Sequence, residues 1–278
     1  MNLFEQKITT VYGNKGKQWI AELPNLVTLI AKNWGLTDLK VVDNLSYNYI
    51  LSGFQKSKSI ILKVGINKDE IAREVAALKA FAGFGAIEVL HEIIDNAILL
   101  ERAISGVSLK SYSTTDNRAY IKICCNVMKR LHKIPMHAAY MNQFPHMHDW
   151  LTIIDKDWEI PKHYLTKARE LKKQLLTTEI TPTLLHGDLH WENILSNGND
   201  WVVIDPKGVI GNPINEVWAF IMDVEKDAQC VAQAFNYDLK FVLSWYFIHL
   251  IMSACWNLQD NLSPKLHLEL AKKTYSMI

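Results

Sequence analysis

The chain has 278 residues, of which 49% are hydrophobic and 21% are charged, a composition typical of a globular protein with two lobes or two modest domains. Its 30 basic and 29 acidic side chains nearly cancel, which removes any electrostatic argument for a nucleic-acid partner. None of the 4 cysteines lies in a C-x-x-C pair, so the sequence predicts neither a zinc site nor a disulfide framework.

Two features bear on the compartment. The N-terminal stretch M-N-L-F-E-Q-K-I-T-T lacks the apolar core of a signal peptide. The longest apolar run, Phe241–Trp256, is shorter than a membrane span and contains Ser244, His249 and Ser253. We therefore expect a buried helix there, no membrane partner, and a cytoplasmic protein whose thiols stay reduced.

In the first part of the chain, the pattern of apolar residues changes once, from helical spacing to short runs typical of strands. Residues 1–38 are predicted to be helical, because apolar side chains recur at helical spacing, with Pro24 as an interruption or a new start. Short runs rich in β-branched and aromatic residues then predict antiparallel strands. These runs are Leu39–Asp43, Tyr47–Phe54, Ser59–Val64, Ile87–Ile93 and Ala97–Glu101. A helix, Lys68–Phe81, is predicted between the third and fourth strands.

The remainder is predicted to be mainly helical. Its periodic segments are Tyr120–Leu131, Leu165–Leu176, Asn215–Phe235 and Leu239–Asn257. Between the second and third of these helices lies a different pattern. Leu184–Leu195 reads L-L-H-G-D-L-H-W-E-N-I-L, and Trp201–Gly208 reads W-V-V-I-D-P-K-G.

That pattern has the spacing that phosphoryl transfer needs in kinase-like proteins. Asp188 suits a base that orients and deprotonates an acceptor hydroxyl. Asn193 and Asp205 offer hard oxygen donors suited to Mg²⁺ on the phosphates of ATP. The turn-prone segment 197–200 predicts a hairpin that brings Asn193 beside Asp205.

These two motifs resemble the aminoglycoside phosphotransferase and choline kinase superfamily. D-P-K-G, together with Gly16, Trp19, Leu23-Pro24 and Trp34-Gly35-Leu36, is more particular and resembles the aminoglycoside/hydroxyurea antibiotic resistance kinases. The resemblance implies an α+β, protein-kinase-like fold with a small antiparallel-sheet lobe and a larger, mainly helical lobe. The expected divisions are a helical preface at 1–38, a nucleotide-binding lobe at 39–102 and a catalytic lobe at 103–278.

The resemblance also implies roles for residues that bind the nucleotide. Lys63, late in the strand I-I-L-K-V, would hold the phosphates of ATP. Glu74 would pair with it, and Glu70 is the alternative. The backbone around Glu101–Ala103 would meet the adenine edge. The phosphate-covering turn 43–48 contains no glycine, so Ser46 and nearby backbone N–H groups would take over that contact.

Two further roles concern the catalytic loop. His186 is expected to orient the loop by hydrogen bonds and not to act as the base. Lys207, typical of the family after Asp205, would neutralise charge on the transferring phosphoryl group.

The acceptor is predicted from two acidic segments that carry aromatic residues. His148–Glu159 contains Asp149, and Glu216–Asp227 contains Glu216, each with a local excess of acidic side chains. Together with Trp191, these residues would suit a cationic, polyhydroxylated acceptor such as a streptomycin-like aminoglycoside. Solvated helix faces explain the same pattern, and a metabolic sugar or choline-like acceptor remains the alternative within the kinase class.

Three other classes of protein fit the sequence less well than a small-molecule kinase. A protein kinase is disfavoured because D-F-G and A-P-E are absent and the chain from Asp205 to Glu216 is too short for an activation loop. A metal-dependent hydrolase would use His186, Asp188 and His190, although no second histidine cluster completes such a site. A non-catalytic relative is disfavoured because every expected polar residue is present.

Overall fold

The computed structural model describes residues 2–43, 45–111, 117–177 and 181–278. The helices are α1 (Leu3–Trp34), α2 (Lys68–Ala80), α3 (Asn117–Leu131), α4 (Ala138–Gln143), α5 (Met147–Trp150), α6 (Lys162–Leu175), α7 (Val224–Phe235), α8 (Leu239–Gln259) and α9 (Lys265–Tyr275). The strands are β1 (Leu36–Val41), β2 (Tyr49–Gln55), β3 (Lys58–Val64), β4 (Val89–Ile94), β5 (Ala97–Glu101), β6 (Ser105–Ser108), β7 (Thr183–Leu185), β8 (Ile194–Asn197), β9 (Asp200–Val203) and β10 (Val209–Gly211).

The chain divides into two compact units. Unit 1 contains Met1–Gly106 and Ser196–Lys207, and unit 2 contains Val107–Leu195 and Gly208–Ile278. The expected single boundary after residue 102 therefore misses the return of the hairpin Ser196–Lys207 to unit 1. The helical residues expected as a separate preface pack within unit 1 as well.

Unit 1 is built on a five-stranded antiparallel sheet of order β1-β2-β3-β5-β4. Side chains alternate between the two faces of a strand, so Ile60, Leu62 and Val64 point one way and Lys63 points the other. The first set belongs to an apolar cluster that also contains Phe4, Ile8, Leu23 and Ile30 of α1. Helix α1 thus covers one face of the sheet, and Lys63 lies on the opposite face.

Helix α1 is interrupted at a different residue from the one expected. The helix continues through Pro24, and its non-helical residue is Gly13, with φ 57°. That left-handed conformation is accessible to glycine at little cost. The helix begins at an Asn2–Glu5 capping box and ends at Gly35, which adopts φ 61°.

Unit 2 packs its helices around α8. By length and composition α8 could cross a membrane, yet its residues from Val242 to Cys255 are buried within unit 2. The expected long helix Asn215–Phe235 is instead a 3₁₀ segment, Pro213–Phe220, followed by α7. The break has a local cause, because Asp223 caps α7 by accepting a hydrogen bond from the N–H of Lys226.

Candidate active site

In unit 1, a buried lysine lies between two carboxylates. Nζ of Lys63 is 2.7 Å from both carboxylate oxygens of Glu74 and 3.0 Å from Oδ1 of Asp205. Lys63 is only 2% exposed. Glu70, the alternative partner, is exposed and accepts a hydrogen bond from Asn67 instead. The structure therefore brings together three of the residues that the sequence singles out: Lys63, Glu74 and Asp205.

The electrostatics of this cluster are dominated by its burial and by its two negative charges. Desolvation acts to lower the pKa of Lys63, but the charges of Asp205 and Glu74 outweigh it and raise that pKa. Burial raises the pKa of Glu74, the charge of Asp205 adds to that effect, and Lys63 and Lys207 oppose it.

The backbone of the hairpin positions Asp205 beside Lys63. Strand β9 is tied to the segment before β4, since Val203 donates to Gly85 O at 2.8 Å and accepts from the N–H of Ile87 at 3.0 Å. Asp205 follows two residues later with φ 58°, a left-handed conformation that Asp tolerates better than most residues. The turn directs its carboxylate to Lys63.

In unit 2, the loop after β7 is held by its own side chains. His186 is fully buried; its Nδ1 accepts a hydrogen bond from the N–H of Asp188, and its carbonyl accepts one from the N–H of Gly208. Nδ2 of Asn193 donates to the carbonyl of Asp188 at 2.9 Å. The side chain of Asp188 remains 33% exposed, with His190 Nε2 at 3.7 Å from Oδ1. A fixed backbone thus presents a solvent-accessible carboxylate.

Glu216 corrects one of the sequence expectations. It was expected in an acceptor-binding acidic face, but it is 2% exposed. Its Oε1 accepts a hydrogen bond from the N–H of Gly187 at 2.8 Å, and its Oε2 lies 3.0 Å from Nε2 of His132. Burial opposes ionisation, yet these hydrogen bonds and the charge of His132 lower the pKa of Glu216. Glu216 therefore anchors the residue before Asp188.

The other acidic segment is largely compensated by α6. Asp155 lies 2.5 Å from Nζ of Lys172, and Asp157 lies 3.7 Å from the guanidinium of Arg169. Asp149 is exposed and accepts a hydrogen bond from the N–H of His146 near the start of α5. Segment 148–159 is therefore not a strongly negative surface, because basic residues well separated in sequence pair with it.

The remaining predicted site residues differ in burial and in the elements that carry them. Ser46 is exposed and lies outside any helix or strand, in a turn whose Asn44 falls outside the described residues. Glu101 ends β5, and Ala103 is buried two residues later. Lys207 is exposed, and its charge acts on Glu74. Trp191 is half-buried in the loop between Asp188 and Asn193.

The geometry does not form the metal cluster that the hydrolase alternative requires. His186 is fully buried, and its Nδ1 faces the N–H of Asp188. Among residues 2–43, 45–111, 117–177 and 181–278, no group of three His, Cys, Asp or Glu side chains is arranged to hold a metal ion. The H-x-D-x-H spacing is thus explained by loop geometry.

The oxygen donors nevertheless fit Mg²⁺ bound together with phosphates. Mg²⁺ binds through one or two carboxylates and substrate oxygens, not through a dedicated protein cage. Asp205 supplies a carboxylate. Asn193 turns its amide nitrogen to the carbonyl of Asp188, which directs its carbonyl oxygen Oδ1 to the other side. Each of these residues therefore presents one hard oxygen donor from a rigid backbone.

Comparison with known proteins identifies the family. The model of the aminoglycoside/hydroxyurea antibiotic resistance kinases matches residues 37–261. The chain belongs to that family. The resemblance drawn from H-G-D-L-H-W-E-N-I-L and D-P-K-G is thereby confirmed.

Relatives and solved structures agree with this placement. Streptomycin 6-kinase of Streptomyces griseus is 23% identical over 278 residues, covering 90% of this chain and 88% of the relative. Streptomycin 3''-kinase of Klebsiella pneumoniae is 31% identical over 169 residues, covering 59% of this chain and 60% of the relative.

Among solved structures, a mutant of aminoglycoside phosphotransferase APH(4)-Ia with ADP and hygromycin B has a TM-score of 0.66 at 15% identity, covering 89% of this chain and 94% of that one. Choline kinase LicA from Streptococcus pneumoniae has a TM-score of 0.65 at 11% identity, covering 91% and 99%. The expected kinase-like fold class is confirmed.

Sequence reasoning missed the contacts that hold the loop of unit 2. One signal was available, because Glu216 lies in the apolar run I-N-E-V-W-A-F, and an acidic residue that such a run carries into the interior needs a partner. Its partner His132 lies 84 residues earlier in the chain, so no local pattern could identify it.

A second buried group of unit 2 was also missed. His249 of α8 lies beside Trp218 and Trp245, with ring centroids 6.1 and 6.3 Å away. Within the described part of the chain, neither ring nitrogen has a hydrogen-bond partner. Burial lowers the pKa of His249 to about 3, although the charge of Glu216 opposes this shift. The ring is therefore neutral in the folded protein at neutral pH.

Replacing His249 should make the free energy of unfolding less sensitive to acid between pH 7 and pH 5. The unfolded chain binds a proton at this ring near pH 6.5, whereas the folded chain does so only near pH 3. The free energy of unfolding therefore falls as the pH drops through this window. In the parent this ring should account for about 2 kcal/mol of the loss between pH 7 and pH 5, and that share should be missing in His249→Leu.

Urea unfolding at the two pH values measures this difference. His148→Leu is the matched control, because its ring is exposed and the substitution should leave the difference as in the parent. An equal loss of stability between pH 7 and pH 5 in the parent and in His249→Leu would contradict the assignment of this acid sensitivity to His249.

Proposed function

We propose that this protein is a phosphotransferase that uses ATP and Mg²⁺ to phosphorylate a hydroxyl of a streptomycin-like aminoglycoside. The observation that carries the proposal is the family match over residues 37–261, combined with a partly exposed Asp188 and with a buried Lys63 that is paired with Glu74 and Asp205. The named relatives support a hydroxyl group as the acceptor, because both are streptomycin kinases.

In this proposal unit 1 holds the nucleotide. Lys63 contacts phosphate oxygens, and Glu74 holds its ammonium group on the face of the sheet opposite α1. Lys207 adds a second positive charge close to this cluster, which suits the growing negative charge of phosphoryl transfer. The backbone near Glu101 and Ala103 remains our proposed contact for adenine, and Ser46 our proposed contact for the covering turn.

Unit 2 supplies the base. As the acceptor oxygen attacks the γ-phosphorus, its proton passes to the carboxylate of Asp188, and the bond to the leaving oxygen of ADP breaks. His186 fixes the backbone N–H of Asp188, and Glu216 fixes that of Gly187. We therefore assign Glu216 to loop positioning, which replaces the acceptor contact expected from the sequence.

Asn193 and Asp205 would hold Mg²⁺, which when bound neutralises charge on the phosphate oxygens. The cofactors are thus ATP and Mg²⁺. The near-balance of charges offers no attraction for nucleic acid, and α8 is largely buried within unit 2. The need for ATP and the free thiols of Cys124, Cys125, Cys230 and Cys255 support a cytoplasmic location.

An ATP-consumption screen tests the acceptor. We expect turnover with streptomycin and a product heavier by one phosphoryl group in mass spectrometry. The panel also contains other aminoglycosides, hydroxyurea, choline, methylthioribose and simple sugars. Turnover confined to choline or a neutral sugar would contradict the aminoglycoside acceptor and leave the phosphotransferase standing, as the metabolic alternative requires.

Replacing Asp188 by Asn should lower turnover by roughly two to four decades, the range of a positioned general base. The amide keeps the shape of the side chain and cannot accept the proton. Affinity for MgATP, measured by calorimetry, should change little. Asp260→Asn, an exposed carboxylate after α8, is the matched control and should turn over like the parent. Equal rates for Asp188→Asn and the control would mean that another group is the base.

Replacing Asp205 by Ala should weaken MgATP binding by roughly 10- to 100-fold, the value of one charged contact. Nucleotide binding without Mg²⁺ should change less, because Lys63 and Glu74 remain. Asp200→Ala, at the start of β9, the strand that precedes Asp205, is the matched control. If calorimetry gave the parent's affinity for Asp205→Ala, the metal would be held elsewhere.

A further inference from the structure

Trp191 occupies an unusual place in the loop of unit 2. It lies three residues after Asp188 and two residues before Asn193, and its side chain is half-buried. Its indole stacks on the ring of Tyr120, with centroids 5.3 Å apart and planes at 25°. The indole of Trp191, which lies between Asp188 and Asn193 in the chain, is thus packed against the ring of Tyr120.

The ring of Tyr120 is held by hydrogen bonds as well as by packing. Tyr120 is 7% exposed, and its hydroxyl donates to Oδ2 of Asp227 at 2.7 Å and lies 3.3 Å from the carbonyl of Phe220. Asp227 is buried and also accepts hydrogen bonds from the N–H groups of Met222 and Asp223, at 2.9 and 2.8 Å. A buried carboxylate with three donors costs desolvation energy that an apolar contact would avoid.

Several carboxylates lie near the two rings, and two of them are paired with lysines. Burial raises the pKa of Tyr120, and the hydrogen bond to Asp227 and the charges of Asp227 and Asp223 raise it further. The side chain of Asp188 is partly exposed, and that of Asp223, also partly exposed, is paired with Lys226 at 3.4 Å. Glu192, next to Trp191, pairs with Lys110 on the surface. An aromatic face flanked by carboxylates attracts cations and repels anions.

We propose that the exposed part of the Trp191 indole contacts the acceptor, and that Tyr120 and Asp227 are positioning residues that hold this indole in place. The inference rests on the proposed phosphotransferase function and adds the chemistry of the acceptor. The site selects a planar cation, such as a guanidinium group, carried near the hydroxyl that receives the phosphoryl group. Three residues of chain span at most about 10 Å, so one small ring can reach Trp191 and Asp188 together.

The guanidinium fits this position better than a simple ammonium. A flat, weakly hydrated cation stacks on an indole face and can still donate hydrogen bonds in its own plane to neighbouring carboxylates. Streptomycin carries guanidinium groups on a six-membered ring beside hydroxyl groups. Choline lacks in-plane donors, and a neutral sugar lacks the charge. Trp191 thereby distinguishes acceptors by their cationic group and does not contribute to the binding of ATP.

Steady-state kinetics of Trp191→Ala, Trp191→Phe and Tyr120→Phe test this inference, with streptomycin and ATP varied separately. For Trp191→Ala we expect the KM for streptomycin to rise about 3- to 30-fold, the range of a cation–π contact, and the KM for ATP to change less than about 2-fold. Trp191→Phe should give a smaller rise, because phenyl has a weaker face. Tyr120→Phe should raise the KM for streptomycin a few-fold while keeping the KM for ATP.

Trp34→Phe is the matched control. Trp34 stacks on His91 with the same centroid distance of 5.3 Å, but in unit 1. Its replacement also removes an indole from a stacked pair, and we expect both KM values to stay near those of the parent. Calorimetry of streptomycin binding to Asp188→Asn, with and without Trp191→Phe, measures acceptor affinity without turnover and should show the same loss.

The outcomes separate the inference from the proposed function. A parent that phosphorylates none of the cationic acceptors overturns the proposed function. If the parent phosphorylates streptomycin, an unchanged KM for streptomycin in Trp191→Ala overturns the contact proposed here. Equal rises in the KM for streptomycin and for ATP would also overturn it, because they would indicate a general distortion of the loop. Should Trp191→Ala fail to fold, Trp191→Phe and the binding measurement decide in the same way.

Discussion

The buried ion cluster of Lys63, Glu74 and Asp205 constrains the whole of unit 1. A lysine and a glutamate withdrawn from water lose several kcal/mol of hydration each, and only close pairing restores that energy. The partners come from α2, 11 residues later, and from the end of β9, 142 residues later. Strand, helix and hairpin must therefore all be in place before the lysine is stable on its face of the sheet. This requirement explains why a distant hairpin folds as part of unit 1.

Unit 2 uses buried carboxylates for a different purpose. Glu216 accepts from the N–H of Gly187, and Asp227 accepts from two backbone N–H groups and from Tyr120. The carboxylates of Glu216 and Asp227 therefore hold backbone segments in and near the catalytic loop in place. The carboxylate of Asp188, which is partly exposed, remains accessible to the acceptor. A separation of this kind suits catalysis, because a base must meet its substrate whereas the groups that orient it need only be rigid.

Local sequence patterns predicted the features that depend on residues close together in the chain. The positions of Lys63 on β3, of Glu74 on α2 and of Asp205 after β9 follow from periodicity and turn residues. The kinase-like fold class followed instead from the resemblance of the two motifs to a known family. The role of the acidic segments could not be predicted in the same way. Asp155 and Asp157 are compensated by Lys172 and Arg169, and Glu216 by His132, so a local count of charges overstates the exposed negative charge. Such pairings depend on packing between elements that the sequence does not order in space.

These pairings change where acceptor recognition has to be sought. If most carboxylates of the two acidic segments are compensated or buried, they cannot supply the field that attracts a polycation. Asp188 is a partly exposed carboxylate that remains in the catalytic loop, and an aromatic face follows it at Trp191, whereas Asp223 is paired with Lys226. Recognition would then depend on a few groups at short range, where a desolvated contact is worth more than several screened surface charges. The residues that choose the acceptor would thus belong to the same loop that carries the base, and a change of acceptor would require only a few substitutions there.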